Sequence, residues 1–211
     1  MYNYFIDAIT KPLPEMVAYF NKENEYLKNL INKDSWVLDF GCGTGRTMKF
    51  LAEFVDKVVG IDYDKNILDI AQTELKDLKN VELIYNDFFA ANFRYKFDLV
   101  FASYNLIGSA EISEEQRQLL IKKMVDCTKP GGHIVASAWG DSQVAKDFDK
   151  KYYKSLGIEI LGIEGNDVIT NAGIFNRFSQ DELERLLSCC FITNFKIIPL
   201  TDIFYLVDII K

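Results

Sequence analysis

Apolar and polar positions along this chain change period in a regular alternation. "WVLDF", "KVVGID", "VELIYND", "FDLVFAS" and "HIVASAW" are short apolar runs with β-branched and aromatic residues, as buried strands require. Between them lie amphipathic stretches. "TMKFLAEFV" and "KNILDIAQTELKDL" repeat their apolar residues at helical spacing, the latter through Ile67, Leu68, Ala71, Leu75 and Leu78. "SEEQRQLLIKKMVDC" opens with Ser113 and has Gln116 three residues on, the pattern of a capping box. Strand and helix in strict alternation predict right-handed βαβ crossovers and a parallel sheet.

The two ends depart from this rhythm. Residues 1–34 predict a helical cap in which "LPEMVAYFNKENEYLKNLI" turns Met16, Val17, Phe20, Tyr26, Leu27, Leu30 and Ile31 toward one face, with Pro12 and Pro14 limiting its start. After a helix near Asp141 to Ser155 come three short apolar pieces, "IEILGI", "DVIT" and "GIFNRF", then the helix "SQDELERLLSCC". The last two strands, "FKIIPL" and "IFYLVDII", are joined by so short a link that they must pair antiparallel. With no repeat, linker or low-complexity segment, one domain is expected, divided into a cap (1–34), a core (35–138) and a segment that continues to 211.

Composition narrows the class. A chain of 211 residues, 49% hydrophobic, can bury a sizeable core. No apolar run approaches the roughly 20 residues of a membrane span, and "MYNYFIDAITKPLPE" lacks the basic start and apolar centre of a signal peptide. A cytoplasmic protein without a membrane partner is expected. The net charge of −7 weakens any attraction to phosphate backbones, so no nucleic-acid partner is expected. Cys42, Cys127, Cys189 and Cys190 lack metal-site spacing, and His133 is the one histidine, so reduced thiols and no metal are expected.

The candidate chemistry sits where the first strand ends. Gly41, Gly43 and Gly45 follow "VLDF" at alternate positions; such a loop serves positive φ, close approach of a ligand, or tight packing of helix on strand. Open parallel sheets bind ligands beyond the carboxyl ends of their strands. Asp62 ends the second strand and can accept hydrogen bonds from a ribose, with Asp64 better placed to cap the next helix. Asp87 ends the third strand and can receive an exocyclic amine, with Phe88 beside it to stack.

Together these stretches resemble the class I S-adenosylmethionine-dependent methyltransferases. "VLDFGCGTG" is similar to the first motif of that family and "VVGIDYD" to the second; "NDFF", "FDLVFAS" and "TKPGGHIV" follow in order. The resemblance is strong from Ser35 to Ala138. It implies an α/β, Rossmann-like doubly wound sheet of seven strands, mostly parallel with the last strand inserted antiparallel, and helices on both faces. It further implies S-adenosylmethionine as cofactor and S-adenosylhomocysteine as product. Carried over by residue, Asp39, Gly41 and Gly43 line the methionine half, Asp62 holds the ribose with Tyr63 against the adenine, Asp87 and Phe88 hold the adenine edge and face, and Ser103 lies near the reacting methyl. Tyr104 and Asn105 after the fourth strand, Trp139 after the fifth, Phe175 and Arg177 in the tail, and Tyr4 and Tyr19 in the cap are the candidates for acceptor contact. No general base is evident, and His133 enters the fifth strand away from the methyl. "ASYNLIG" lacks the Pro-Pro-aromatic motif of enzymes that methylate adenine or glutamine nitrogens, and lacks the metal-binding acid of the catechol type. The aromatic cap and the stretch from Asp141 to Phe178, rich in Tyr2, Tyr4, Phe5, Tyr19, Phe20, Tyr152, Tyr153 and Phe175, suit a lid over a mostly apolar pocket and a small organic acceptor. A peptide side chain, or a non-catalytic adenosyl-binding module, are the alternatives.

Overall fold

The computed structural model describes residues 4–110 and 112–211, with the backbone alone given for residues 4 and 5. Seven strands form the main sheet: β1 (Trp36–Phe40), β2 (Lys57–Asp62), β3 (Val81–Tyr85), β4 (Phe97–Ala102), β5 (Thr128–Trp139), β9 (Phe195–Pro199) and β10 (Phe204–Ile210). Their order is β3-β2-β1-β4-β5-β10-β9. β10 runs antiparallel between β5 and β9, as the short link at Thr201 and Asp202 requires. β1 pairs in parallel with both β2 and β4, so the direction of winding reverses between β1 and β4.

Residues alternate between the two buried faces of the central strands. Leu38, Phe40, Val59, Ile61 and Val100 face a core completed by Leu120 and Met124 of α5 (Glu114–Cys127) and Leu183 and Leu187 of α7 (Gln180–Cys189). Val37, Val58 and Leu99 face the other core, covered by Leu27 of α2 (Pro14–Lys28), Met48 and Leu51 of α3 (Arg46–Leu51) and Leu68 and Ala71 of α4 (Lys65–Glu74). Helices on both faces explain why these strands read as nearly continuous apolar runs. Ser113 and Gln116 form the capping box that the sequence predicts, and Asp64 caps α4 by accepting from the Asn66 N–H.

The cap is two helices, α1 (Tyr4–Thr10) and α2, with Pro14 in the first turn of α2. Its buried face is Met16, Tyr19, Phe20, Glu23 and Leu27, one helical row. Val17, expected on this face, is exposed, because it lies a residue off that row. The three short pieces after α6 (Gln143–Ser155) form a separate antiparallel sheet, β6 (Ile160–Glu164), β7 (Asp167–Thr170) and β8 (Gly173–Asn176), rather than extending the main one. With α1, α2 and α6 this small sheet encloses a third core of Tyr19, Phe20, Trp139, Phe148, Tyr153 and Phe175 over the ends of β5 and β10. All four cysteines are free; Cys42, Cys127 and Cys190 are buried and Cys189 is exposed. Among the described residues no helix is long and apolar enough to cross a membrane.

Candidate functional site

A cleft of about 560 Å³ opens at the carboxyl ends of β1, β2, β4 and β5, across the point where the sheet reverses its winding. The glycine loop forms its floor. Gly41, Gly43 and Gly45 have φ of 69°, 54° and 78°, which L side chains rarely adopt. Their surroundings differ. A Cβ on Gly45 would meet Leu75 Cδ1 at 2.5 Å, so this glycine also serves packing of α4 on the loop. A Cβ on Gly43 would meet only Ile67 Cγ2, at 4.0 Å, and Gly43 lines the cleft with Gly41.

Asp62 holds the loop in place. Its Oδ2 accepts from the Gly43 N–H at 2.9 Å and its Oδ1 from the Asp64 N–H at 3.0 Å. Burial pushes its carboxyl above the usual range, and these backbone donors pull it back. Tyr63, half exposed, and buried Phe88 stand on the same cleft, Phe88 packed edge-on against Phe40. Asp87 is exposed beside lining Phe88 but is not itself among the residues lining the cleft; its Oδ1 accepts from the Phe89 N–H at 2.8 Å in an Asx turn.

Deeper in, Ser103 at the end of β4 joins a buried polar network that sequence reading missed. Glu23 of α2, 1% exposed, accepts from Tyr19 Oη and Ser103 Oγ, each at 2.5 Å, and pairs with Arg46 Nη2 at 3.0 Å. Arg46 also donates to Ser103 Oγ at 3.2 Å and lies over the Phe20 ring, 3.9 Å from its centre. The available signal was an acid on the apolar row of α2, four residues from Tyr19 and from Leu27. Tyr19 is sealed in this network, donating to Glu23 and accepting from the Tyr104 N–H, and does not reach the cleft.

Asp39 is 2% exposed on the cleft wall, and its Oδ1 has no partner; Arg46 Nη1 is likewise buried and unpartnered. Burial pushes the Asp39 carboxyl well above the usual range, opposed by Arg46 and reinforced by Glu23 and Asp62. A carboxyl raised in the folded state stabilises below its unfolded value and loses that contribution as pH rises through the folded one. At neutral pH the Asp39 carboxyl therefore burdens the fold. Asp39→Asn is expected to raise the melting temperature of the ligand-free protein by a few degrees at pH 7.5, with the gain shrinking toward pH 4. Melting curves across that range check this, and an unchanged or lower value at pH 7.5 counts against it.

At the β4–β5 end the wall is aromatic. Tyr104, Trp139, Tyr152, Tyr153 and Phe175 line it together. Asn105 also lines it, but its amide ties strands to each other: Oδ1 accepts from the Trp139 N–H at 2.9 Å and Nδ2 donates to Asn176 O at 3.4 Å. Arg177 lies behind the wall rather than on it. It is ion-paired with Asp149 of α6, both nearly fully buried, with its guanidinium 4.7 Å from the Trp139 ring centre. The Tyr4 side chain lies outside the described residues. His133 Nδ1 and Asp208 Oδ1 share a hydrogen bond at 2.8 Å. It stands six residues before Trp139 on β5, roughly 20 Å from the cleft end of the strand.

Comparison with known proteins places this architecture. Residues 37–132 match a family described as a methyltransferase domain. The chain is 33% identical over 105 residues to a demethylmenaquinone methyltransferase of Lactococcus lactis, covering 47% of this chain and 40% of that protein. It is 35% identical over 96 residues to the cypemycin N-terminal methyltransferase of a Streptomyces species, covering 46% and 38%. The chain thus spans less than half the length of these relatives. An S-adenosylmethionine-dependent methyltransferase from Clostridium acetobutylicum superposes with a TM-score of 0.68 at 16% identity, over 98% of this chain and 96% of that one. That likeness concerns the fold.

Proposed function

We propose that this chain, which belongs through residues 37–132 to the class I S-adenosylmethionine-dependent methyltransferase family, transfers a methyl group from S-adenosylmethionine to a small-molecule acceptor. The observation that carries the cofactor reading is a complementary pair of orphans. Arg46 Nη1 and Asp39 Oδ1 are buried without partners on residues that line one end of the cleft. A guanidinium donor and a carboxylate acceptor in one place match the carboxylate and ammonium of an α-amino acid, the end that this cofactor carries. In this reading Gly41 and Gly43 allow close approach to the backbone, Asp62 takes the ribose hydroxyls, and Tyr63 and Phe88 flank the adenine.

When bound, the cofactor supplies an activated methyl on a sulfonium, and the C–S bond breaks as the bond to the acceptor forms, the electron pair leaving on sulfur. The protein's own work is alignment, which can supply roughly 7–11 kcal/mol of the barrier. Ser103, Tyr104 and Leu106, at the end of β4, stand between the loop on β1 and the aromatic wall, where acceptor and methyl must meet. His133, the one histidine, does not reach this point, and among the described residues the acids that line the cleft are Asp39, Asp62 and Asp64, at the β1 and β2 ends.

Calorimetry of the purified protein is expected to give binding of S-adenosylmethionine and S-adenosylhomocysteine and none of NAD. Incubation with methyl-labelled cofactor and a fractionated extract then separates the acceptor readings. Label in the small-molecule fraction supports the proposal; label only in peptide or protein supports the alternative that the cypemycin relative represents. Binding without any transfer leaves an adenosyl-binding module.

A further inference from the structure

Arg46 opens α3 directly behind the glycine loop, yet its side chain is held by other elements. Its Nη2 donates to Glu23 Oε2 at 3.0 Å and to Ser103 Oγ at 3.2 Å, which uses both hydrogens of that nitrogen. The Phe20 ring lies against the guanidinium, its centre 3.9 Å away. Glu23 and Phe20 belong to α2 of the cap, and Ser103 follows β4. Glu23 is fixed in turn. Its Oε1 accepts from Tyr19 Oη and its Oε2 from Ser103 Oγ, each at 2.5 Å, and the residue is 1% exposed. Tyr19 is anchored by the Tyr104 N–H, from which it accepts at 3.1 Å, and by stacking on Phe204 of β10 with ring centres 4.2 Å apart. A carboxylate sealed from water and engaged by three donors has one place to stand. Through it a long, otherwise mobile guanidinium has one place to stand as well. Arg46 Nη1 is left over, buried and unpartnered on a residue that lines the cleft with Asp39.

Resting on the methyl-transfer reading of this cleft, we infer that Glu23, together with Phe20, is a positioning residue for the amino-acid end of the cofactor. It engages Nη2 of Arg46 and so presents Nη1 to the ligand's carboxylate. The cap thus takes part in cofactor binding without touching the cofactor. A buried donor without a partner is costly, and a ligand carboxylate satisfies it with a charge-assisted bond. Holding the guanidinium in place beforehand removes the ordering cost that a free arginine would meet on binding. By charge alone Glu23 opposes a second carboxylate at Arg46, so its contribution is geometric, and a variant that tests it must keep the charge. Glu23→Asp does so: the carboxylate remains, one methylene short of Arg46 and Ser103.

The test pairs two ligands that differ at one end. S-adenosylhomocysteine carries the amino-acid group, and methylthioadenosine keeps the adenosine and the sulfur but lacks it. Each is titrated by calorimetry into the full chain and its variants at pH 7.5. Glu23→Asp is expected to weaken S-adenosylhomocysteine about tenfold and to leave methylthioadenosine within about twofold, the scale of one charge-assisted hydrogen bond. Phe20→Leu removes the ring beside the guanidinium and is expected to weaken S-adenosylhomocysteine alone by about fivefold. If Glu23→Asp does not fold, this second variant decides. Equal losses for both ligands would show that the cap merely supports the fold, and an unchanged affinity for S-adenosylhomocysteine in a folded variant would show that Arg46 is placed without its help; either result overturns the inference. A parent chain that binds methylthioadenosine as tightly as S-adenosylhomocysteine overturns it too, while leaving an adenosyl site in place. A parent that binds neither ligand overturns the cofactor reading itself.

Discussion

Arg177→Met is expected to destabilise the fold by about 3–5 kcal/mol, the usual consequence of leaving one charge of a buried pair behind. Arg177 and Asp149 have side chains only 2% and 1% exposed, and they join β8–α7 to α6 behind the acceptor wall. Methionine fills much of the same space but supplies nothing to the Asp149 carboxylate. The double variant Arg177→Met/Asp149→Leu removes both charges and is expected to recover most of the loss, because well-packed apolar replacements of buried pairs are often neutral or better. Denaturant unfolding of the parent, the single and the double variant makes the comparison. A single variant within 1 kcal/mol of the parent would show that the pair is not desolvated as the geometry requires. If Arg177 instead contacted the acceptor, the variant would lose turnover with its stability intact.

Asp62→Ala is expected to weaken S-adenosylmethionine binding by about 1.5–3 kcal/mol, or roughly 10- to 150-fold, the scale of hydrogen bonds to a charged group. Two effects add here. The carboxylate reaches the cleft, where a ribose would donate to it, and it also fixes the Gly43 and Asp64 N–H groups that shape the loop. Asp62→Asn separates them. It keeps an acceptor for one backbone donor without the charge, so it is expected to fall between parent and alanine. Calorimetry on variants whose melting shows them folded is the measurement, and an alanine variant within twofold of the parent would remove Asp62 from the site.

The main sheet was legible along the chain because its strands are buried on both faces and its helices on one, so each leaves its own period. β2 and the capping box at Ser113 fall where the pattern puts them for that reason. The site residues contributed by strand ends were legible too: where a parallel strand stops, its next residues face the ligand side. Gly41 and Asp62 reach one cleft by that rule, and Asp39 and Ser103, which the family resemblance implies, line the same cleft.

Other assignments needed the fold. Asp87 stands at a strand end too, and that its Oδ1 also closes a turn with the Phe89 N–H is seen only in the structure. Whether Arg177 and Tyr19 meet a ligand or a buried partner depends on Asp149 and Glu23, 28 and 4 residues away. The three pieces after α6 carry ordinary strand signals, and only their pairing with one another detaches them from the main sheet. The sequence by itself determined the order of elements, because period and glycine placement are local properties of the chain. The tertiary structure decided which polar side chains were already spoken for: Asp149, 28 residues from Arg177, leaves no mark on the pattern near it, and for Tyr19 only the packing of α2 shows that Glu23 is buried to receive its hydroxyl.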